Sequence, residues 1–242
     1  MYLPKIKRYQ KKFEYSYAFG AYPVIDLLKY KAESVYQVLL KKDSEGSDGI
    51  EEVIKLCIEK EIPFEYADRA IEKISVKENT YVVAVFKKYE SELQSGEDHV
   101  VLVNPSNQGN LGTIIRTMLG FNLKNLGIVK PAVDIFDPLV VRATMGSLFH
   151  INFEYFNSFE EYSSKYSSNN IYPFMLNGAK DITQVEIKRP FTIVHGNESS
   201  GLPVEFKDIG EGIYIPHSKD IDSLNLSVAT AISLWEIYKR RV

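Results

Sequence analysis

The chain has 242 residues, 45% hydrophobic and 25% charged, with a formal net charge of −3. This composition gives a sizeable core, excludes bulk disorder and fits one or two domains. The slightly acidic balance excludes a protein that coats nucleic acid through pervasive cations, though not one that meets RNA on a local basic surface.

The first residues, Met1 to Arg8, are basic, but no apolar run follows them, so they are not read as a secretory signal. Positive charge gathers at Lys5, Lys7, Arg8, Lys11 and Lys12, interleaved with Tyr2 and Tyr9, and again at Lys239, Arg240 and Arg241. Both clusters read either as solvated tails or as contacts to phosphate. Helical patterning is expected over 22–30 and a strand over 35–40. A polar loop over 42–49 leads to a helix over 50–60 and a turn at Pro63. Cys57 is the only cysteine and falls in helical register with Ile50, Val53, Ile54 and Ile58. It is read as a small core residue; an intrachain disulfide and a multi-cysteine metal site are excluded, which suits a reducing cytoplasm. Strands are expected at 63–66 and 81–86, and the charged stretch 87–98 reads as a linker. No stretch approaches the ~18 apolar residues of a membrane span.

The second half opens with the apolar run His99 to Val103, a buried-strand pattern. A helix over 110–121 follows, with Asn122 suited to the left-handed residue that ends it. A strand at 126–129, a helix at 138–148 and strands near 151–156, 172–176, 191–194 and 212–216 lead to a final helix over 224–240. Alternating strands and helices predict an α/β fold with a parallel sheet. Ligands of such sheets sit beyond the carboxyl ends of the strands.

Three clusters lie where that rule looks for them. The first, Asn104 to Thr117, is a Gly/Asn-rich loop entering a helix and carries Asn110 and Arg116. It lacks GxGxxG and a Walker lysine, which argues against dinucleotides and nucleoside triphosphates. Asn110 reads as a helix cap or a site residue, and Arg116 as a surface or a site residue. The second, His195 to Pro203, sets Glu198 between Gly196 and Gly201, the pattern of a tight loop carrying one directed carboxylate. The third, Ile215 to Ala229, carries Ser223, Leu224 and Asn225; Ser223 reads as a cap of the last helix or as a site residue.

Together and in this order the clusters resemble the three signature motifs of the SpoU/TrmH branch of the SPOUT methyltransferases. Asn110 to Thr117 is similar to N-x-G-x-I-x-R-T, Gly196 to Gly201 to G-x-E-x-x-G, and Ile215 to Ala229 to the I-P-M-x-G-x-x-x-S-L-N-V-S-V-A stretch. Arg142 to Gly146 is similar to R-A-S-M-G. The resemblance covers roughly 100–238; more weakly, 20–86 resembles the L30e-like domain of many members.

The resemblance implies a catalytic domain over 97–242 with a C-terminal trefoil knot, preceded by a smaller L30e-like RNA-binding domain over 1–90. It implies a cytoplasmic, homodimeric RNA 2′-O-ribose methyltransferase using S-adenosylmethionine and no metal. Main-chain groups at Gly196, Ile215 and Leu224 would hold the cofactor. Arg116, Asn110, Glu198, Ser223 and Asn225 match the catalytic positions, with Glu198 expected to orient Arg116. A guanidinium is a poor base, so Arg116 is read as binding phosphate and stabilising alkoxide charge. The S-L-N form of the third motif favours ribose over base, and the extra domain favours ribosomal RNA over tRNA. The sequence departs from the family at His217 and Lys219, where Met and Gly are usual. The competing reading is an RNA-binding protein on an inactive methyltransferase scaffold.

Overall fold

The structure is a computed structural model and describes residues 4–44, 46–75, 79–176 and 179–240. Tyr2 and Arg241 of the basic clusters lie outside the described residues. The chain divides into two compact units, 1–89 with 134–150, and 90–133 with 151–242.

The first unit is built on a mixed four-stranded sheet. Its elements begin with β1 (Tyr15–Phe19), α1 (Ala21–Tyr30), β2 (Val35–Leu40), α2 (Asp48–Glu59), β3 (Phe64–Tyr66), α3 (Asp68–Ile74) and β4 (Val82–Lys87), with strand order β1-β4-β2-β3. β4 is central and buried through Val82, Val83, Ala84, Val85 and Phe86, because both faces of the sheet are covered. Tyr17, Phe19, Leu39, Val83 and Val85 pack with Ile71 and Ile74 of α3 on one face. Cys57 is buried on α2 with Ile50 and Val53, as its register predicts, whereas Ile58, expected on the same face, is exposed. β1 and α3 escape the periodicity reading. β1 mixes serine and tyrosine with its apolar residues, and α3 has seven residues with only Ile71 and Ile74 buried.

The basic N-terminal segment is not a free tail. Tyr15 Oη donates to the Lys5 carbonyl at 2.8 Å and Tyr17 Oη to the Lys7 carbonyl at 2.6 Å. Strand β1 therefore holds the backbone while Lys5, Lys7, Arg8, Lys11 and Lys12 stay exposed.

In the second unit β5 (His99–Val103), α4 (Gln108–Gly120) and β6 (Asn125–Val129) form a strand–helix–strand crossover whose two strands pair in parallel. Asn122 takes φ 59°, the expected left-handed end of α4. After β6 the chain contributes 134–150 to the first unit, through α5 (Pro138–Ala143) and a 3-10 turn at Ser147–His150. The helix expected over 138–148 is interrupted because Met145 and Gly146 take φ 51° and 97°. At Gly146 an added Cβ would lie 2.3 Å from Asp26 Oδ2 on α1. Ser16 Oγ donates to the Phe136 carbonyl at 2.5 Å, and Phe86 meets Phe149 edge-on, so the segment is bonded and packed into that unit.

The second unit continues with β7 (Asn152–Phe156), α6 (Phe159–Lys165), β8 (Asn170–Pro173), β9 (Lys180–Asp181), β10 (Phe191–His195), β11 (Ile213–Tyr214) and α7 (Leu226–Lys239). Its main sheet is wholly parallel, with order β7-β6-β5-β10-β8, as the alternation of elements predicts. One face carries Val101, Val103, Val129, Phe156 and Val194 against Phe159, Tyr162 and Tyr166 of the α6 region. Helices α4 and α7 pack against each other. A buried polar chain ties elements together: His99 Nε2 meets the Gln94 carbonyl at 2.9 Å, Nδ1 meets Tyr162 Oη at 2.8 Å, and Tyr162 Oη meets Thr192 Oγ1 at 2.5 Å. Burial lowers the His99 pKa, so this ring is a neutral connector. The C-terminal Arg240 is likewise structural, donating to the carbonyls of Val185 at 2.6 Å and Ile182 at 2.7 Å.

Gly146→Ala combines a left-handed backbone with a contact no Cβ tolerates. It is expected to cost about 1–3 kcal/mol. Denaturant unfolding checks it, with loss concentrated in a transition reporting the first unit.

Candidate functional site

The sheet order decides where a site can form. From β5 the chain moves outward one way through β6 and β7, then returns on the other side with β8 and β10. β5 and β10 are neighbours whose next segments diverge, which is a topological switch point. The loops leaving their carboxyl ends are the first two clusters seen in the sequence.

Glu198 joins those loops. Its Oε2 accepts from Ser106 N at 3.0 Å and Ser106 Oγ at 2.7 Å, and its Oε1 from Asn107 N at 3.0 Å and Asn110 Nδ2 at 3.3 Å. Burial alone would raise this carboxyl's pKa, but the bonds from Ser106 and from backbone amides outweigh it and the net shift is downward. Asn197 supports the same loop by donating from Nδ2 to the Asn104 carbonyl at 2.8 Å. Its Oδ1 accepts from Ser199 N at 2.9 Å, and backbone bonds between Asn197 and Gly201 close the turn. Gly196 has no room for a side chain there, since a Cβ would lie 2.1 Å from the Gly201 carbonyl carbon.

Asn110 extends the network to the third cluster. Asn225 Nδ2 donates to Asn110 Oδ1 at 3.2 Å. Asn225 also caps α7, accepting from Ser227 N at 2.9 Å. The caps thus differ from the bland readings of the sequence: Asn107, not Asn110, caps α4, and Asn225, not Ser223, caps α7. Ser223 is exposed, with no hydrogen bond among the described residues.

Beside the network lies a cavity of about 640 Å³, within the size range of small-molecule sites. Gly196, Ile215 and Leu224 all line it, together with Glu198 and Ser223. Phe174, Leu176 and Leu202 add apolar wall, and Asp222 and Lys207 add charge. His217 also lines it, its Nδ1 2.8 Å from the Ile215 carbonyl, whereas the exposed Lys219 is not among the lining residues. Such a mixture of apolar wall, main chain and few charged groups fits an adenine-bearing zwitterion. Among the described residues no group of His, Cys, Asp and Glu is arranged to hold a metal, and no helix is long and apolar enough to cross a membrane.

Arg116 stands apart. It is exposed on α4, about 9 Å along the axis from Asn110 at helical rise and on a different face. Its guanidinium has no hydrogen bond or ion pair among the described residues, and Glu198 binds the first loop rather than orienting it. The reason is geometric: the loop amides and the Ser106 hydroxyl converge on the carboxylate. Sequence reading missed Ser106, Asn107 and Asn197 as site residues. Their signal was the density of Asn and Ser around Pro105 and Gly196, which is turn chemistry whether or not a site is present.

Residues 97–235 match the model of the SpoU rRNA Methylase family. The tRNA (cytidine-2′-O-)-methyltransferase TrmJ of Methanocaldococcus jannaschii is 30% identical over 156 residues, 59% of this chain and 68% of that protein. An uncharacterized tRNA/rRNA methyltransferase of Archaeoglobus fulgidus is 25% identical over 89% of this chain and 94% of its own. Others are longer: the match spans 53% of an uncharacterized tRNA/rRNA methyltransferase of Synechocystis sp.. Among solved structures, an AdoMet-bound rRNA methyltransferase from Sinorhizobium meliloti superposes with TM-score 0.80 at 28% identity, covering 95% of this chain and 88% of that one.

Glu198→Gln removes the charge and one acceptor oxygen, and is expected to destabilise the second unit by about 1–3 kcal/mol at neutral pH. The sign with pH follows from a lowered carboxyl. Its contribution is full above the ordinary value of 4.5 and is lost as pH falls through the folded value. Acid titration of thermal unfolding should therefore bring wild type and variant together, and curves that stay parallel below pH 4.5 would contradict this.

Proposed function

Because the chain belongs to the SpoU rRNA Methylase family, we propose that it transfers a methyl group from S-adenosylmethionine to a ribose 2′-hydroxyl of structured RNA. The observation that carries the reading is the hydrogen-bond path Asn225–Asn110–Glu198–Ser106, which joins all three motifs beside the cavity. The S. meliloti relative bound to AdoMet supports the choice of cofactor. The inactive-scaffold alternative has no observation in its favour.

When bound, S-adenosylmethionine would supply an electrophilic methyl group on a cationic sulfur. Positioning and charge stabilisation then fall to the protein. Main-chain groups at Gly196, Ile215 and Leu224, which line the cavity, would hold the cofactor, in a segment we read as passing through a trefoil knot. Glu198, Asn110 and Asn225 are positioning residues that fix the first loop, and Ser223 offers its hydroxyl at the cavity edge. Arg116 binds the phosphate beside the target ribose and stabilises the oxygen as its proton departs to solvent. We read the first unit, 1–89 with 134–150, as an L30e-like domain that serves RNA choice through the exposed cations of its N-terminal strip, and the second, 90–133 with 151–242, as the catalytic domain, so that 134–150 departs from the expected 97–242 span. We read ribosomal RNA as the favoured substrate class and the enzyme as cytoplasmic.

The active form is a homodimer. Val228, Ile232 and Trp235 are exposed at 47%, 38% and 51% and recur at helical spacing on α7, and Phe121 packs against Trp235. An exposed apolar stripe of this kind marks an interaction surface. A partner docked there reconciles Arg116 with a cavity it does not line: the arginine acts at a site completed across the interface.

Arg116→Ala should reduce single-turnover methyl transfer by about 10²–10³-fold while cofactor affinity stays within about twofold. Arg116→Lys should not restore the rate, because an ammonium lacks the planar fork. Loss of cofactor binding in either variant would move Arg116 into the pocket and overturn the division of roles. Trp235→Glu is expected to convert the dimer to monomer in light scattering and to abolish transfer; a dimer unaffected by that charge would place the interface elsewhere.

A further inference from the structure

His195 ends β10 and is 2% exposed, yet it lines the cavity. Along β10, Thr192 bonds to Tyr162 and Val194 packs in the α6-side core, so alternation turns His195 to the α7 side. There its ring stacks on Phe174, centroids 4.4 Å apart and planes at 22°, and Phe174 is itself a lining residue.

The hydrogen-bond chain fixes the tautomer. Ser233 Oγ donates to the Thr230 carbonyl at 2.8 Å, which commits the hydroxyl proton. The contact between His195 Nε2 and Ser233 Oγ, 3.5 Å, therefore has the nitrogen as donor. The other nitrogen, Nδ1, is left as an acceptor with no partner among the described residues. The cavity that His195 lines is where a partner for that nitrogen would come from. Burial pushes the imidazole pKa down to about 3, so the ring is neutral at working pH.

We propose that His195 is a cofactor-binding residue whose Nδ1 accepts a hydrogen bond from a donor group of S-adenosylmethionine. The inference rests on reading the cavity as that cofactor's site. An acceptor in an apolar floor is costly when unmatched, and an N–H or O–H of the ligand removes that cost. The cofactor offers an exocyclic amine, ribose hydroxyls and an ammonium. A neutral ring presenting a lone pair also suits a ligand carrying a sulfonium, which a charged imidazolium would repel. The flat stack on Phe174 holds the ring plane and so the direction of the lone pair.

The test is calorimetric titration of the full-length protein with S-adenosylmethionine and with S-adenosylhomocysteine. His195→Leu removes both nitrogens. His195→Gln reaches the Nε2 position and its contact with Ser233 but not the Nδ1 acceptor. His195→Asn keeps an acceptor near Nδ1. Leu and Gln should raise Kd about 3–10-fold, the loss of one hydrogen bond, and Asn should stay within about twofold. Thermal melts establish that each variant is folded; if Leu fails to fold, the Gln and Asn pair makes the same comparison. Folded Leu or Gln variants that bind as tightly as wild type would overturn the proposal, as would an Asn variant as weak as Leu. Wild-type protein that binds neither ligand would instead overturn the reading of the cavity itself.

Discussion

A half-buried carboxylate between two loops nearly a hundred residues apart in sequence is the constraint from which the site follows. Glu198 sits after β10, while its donors, Ser106, Asn107 and Asn110, come after β5. Removing a carboxylate from water is unfavourable unless charge-assisted hydrogen bonds replace the water, and here backbone amides and a hydroxyl do so. Those amides belong to the turn that starts α4, so the same bonds that satisfy the charge also fix where the helix begins. Without the parallel pairing of β5 and β10 the two loops would not meet.

Asn110 passes this order to the third motif. It gives its amide hydrogen to Glu198 and accepts from Asn225, which in turn caps α7. The start of α4 and the start of α7 are thereby bound through one side-chain pair, and these two helices pack against each other. The cavity lies on the side where the second and third motifs face each other, and the strip of Val228, Ile232 and Trp235 lies on the outer face of α7. A single polar path thus sets both the wall of the cavity and the position of the helix that carries the exposed apolar strip.

Two histidines on neighbouring strands show how burial differentiates one side chain. Both His99 and His195 are kept neutral by desolvation. His99 has both nitrogens occupied within the protein, by the Gln94 carbonyl and by Tyr162, and serves as a strut. His195 has one nitrogen engaged by Ser233 and one with no partner among the described residues, on a ring that lines the cavity. Side-chain identity alone does not separate the two roles; the count of satisfied nitrogens does.

The sequence by itself determined the parallel α/β sheet, because buried strands such as His99 to Val103 must be apolar on both faces and their runs alternate with helical spacing. It also located the Gly/Asn/Ser loops, since tight turns demand those residue types, and the order of the motifs carried the family. It did not reveal β1 and α6, whose short segments mix tyrosine and serine with apolar residues, or the seven-residue α3, with only Ile71 and Ile74 buried; all three take their form from packing rather than periodicity. Nor did it reveal that the helix after Pro138 breaks at Met145, a change set by positive φ and the close approach of Asp26 to Gly146. Which partners Glu198 and His195 take, and which asparagine caps which helix, were decided only by tertiary structure. Hydrogen bonds are directional and short-ranged, so they depend on which loops the sheet order brings within about 3 Å, a distance no spacing along the chain encodes.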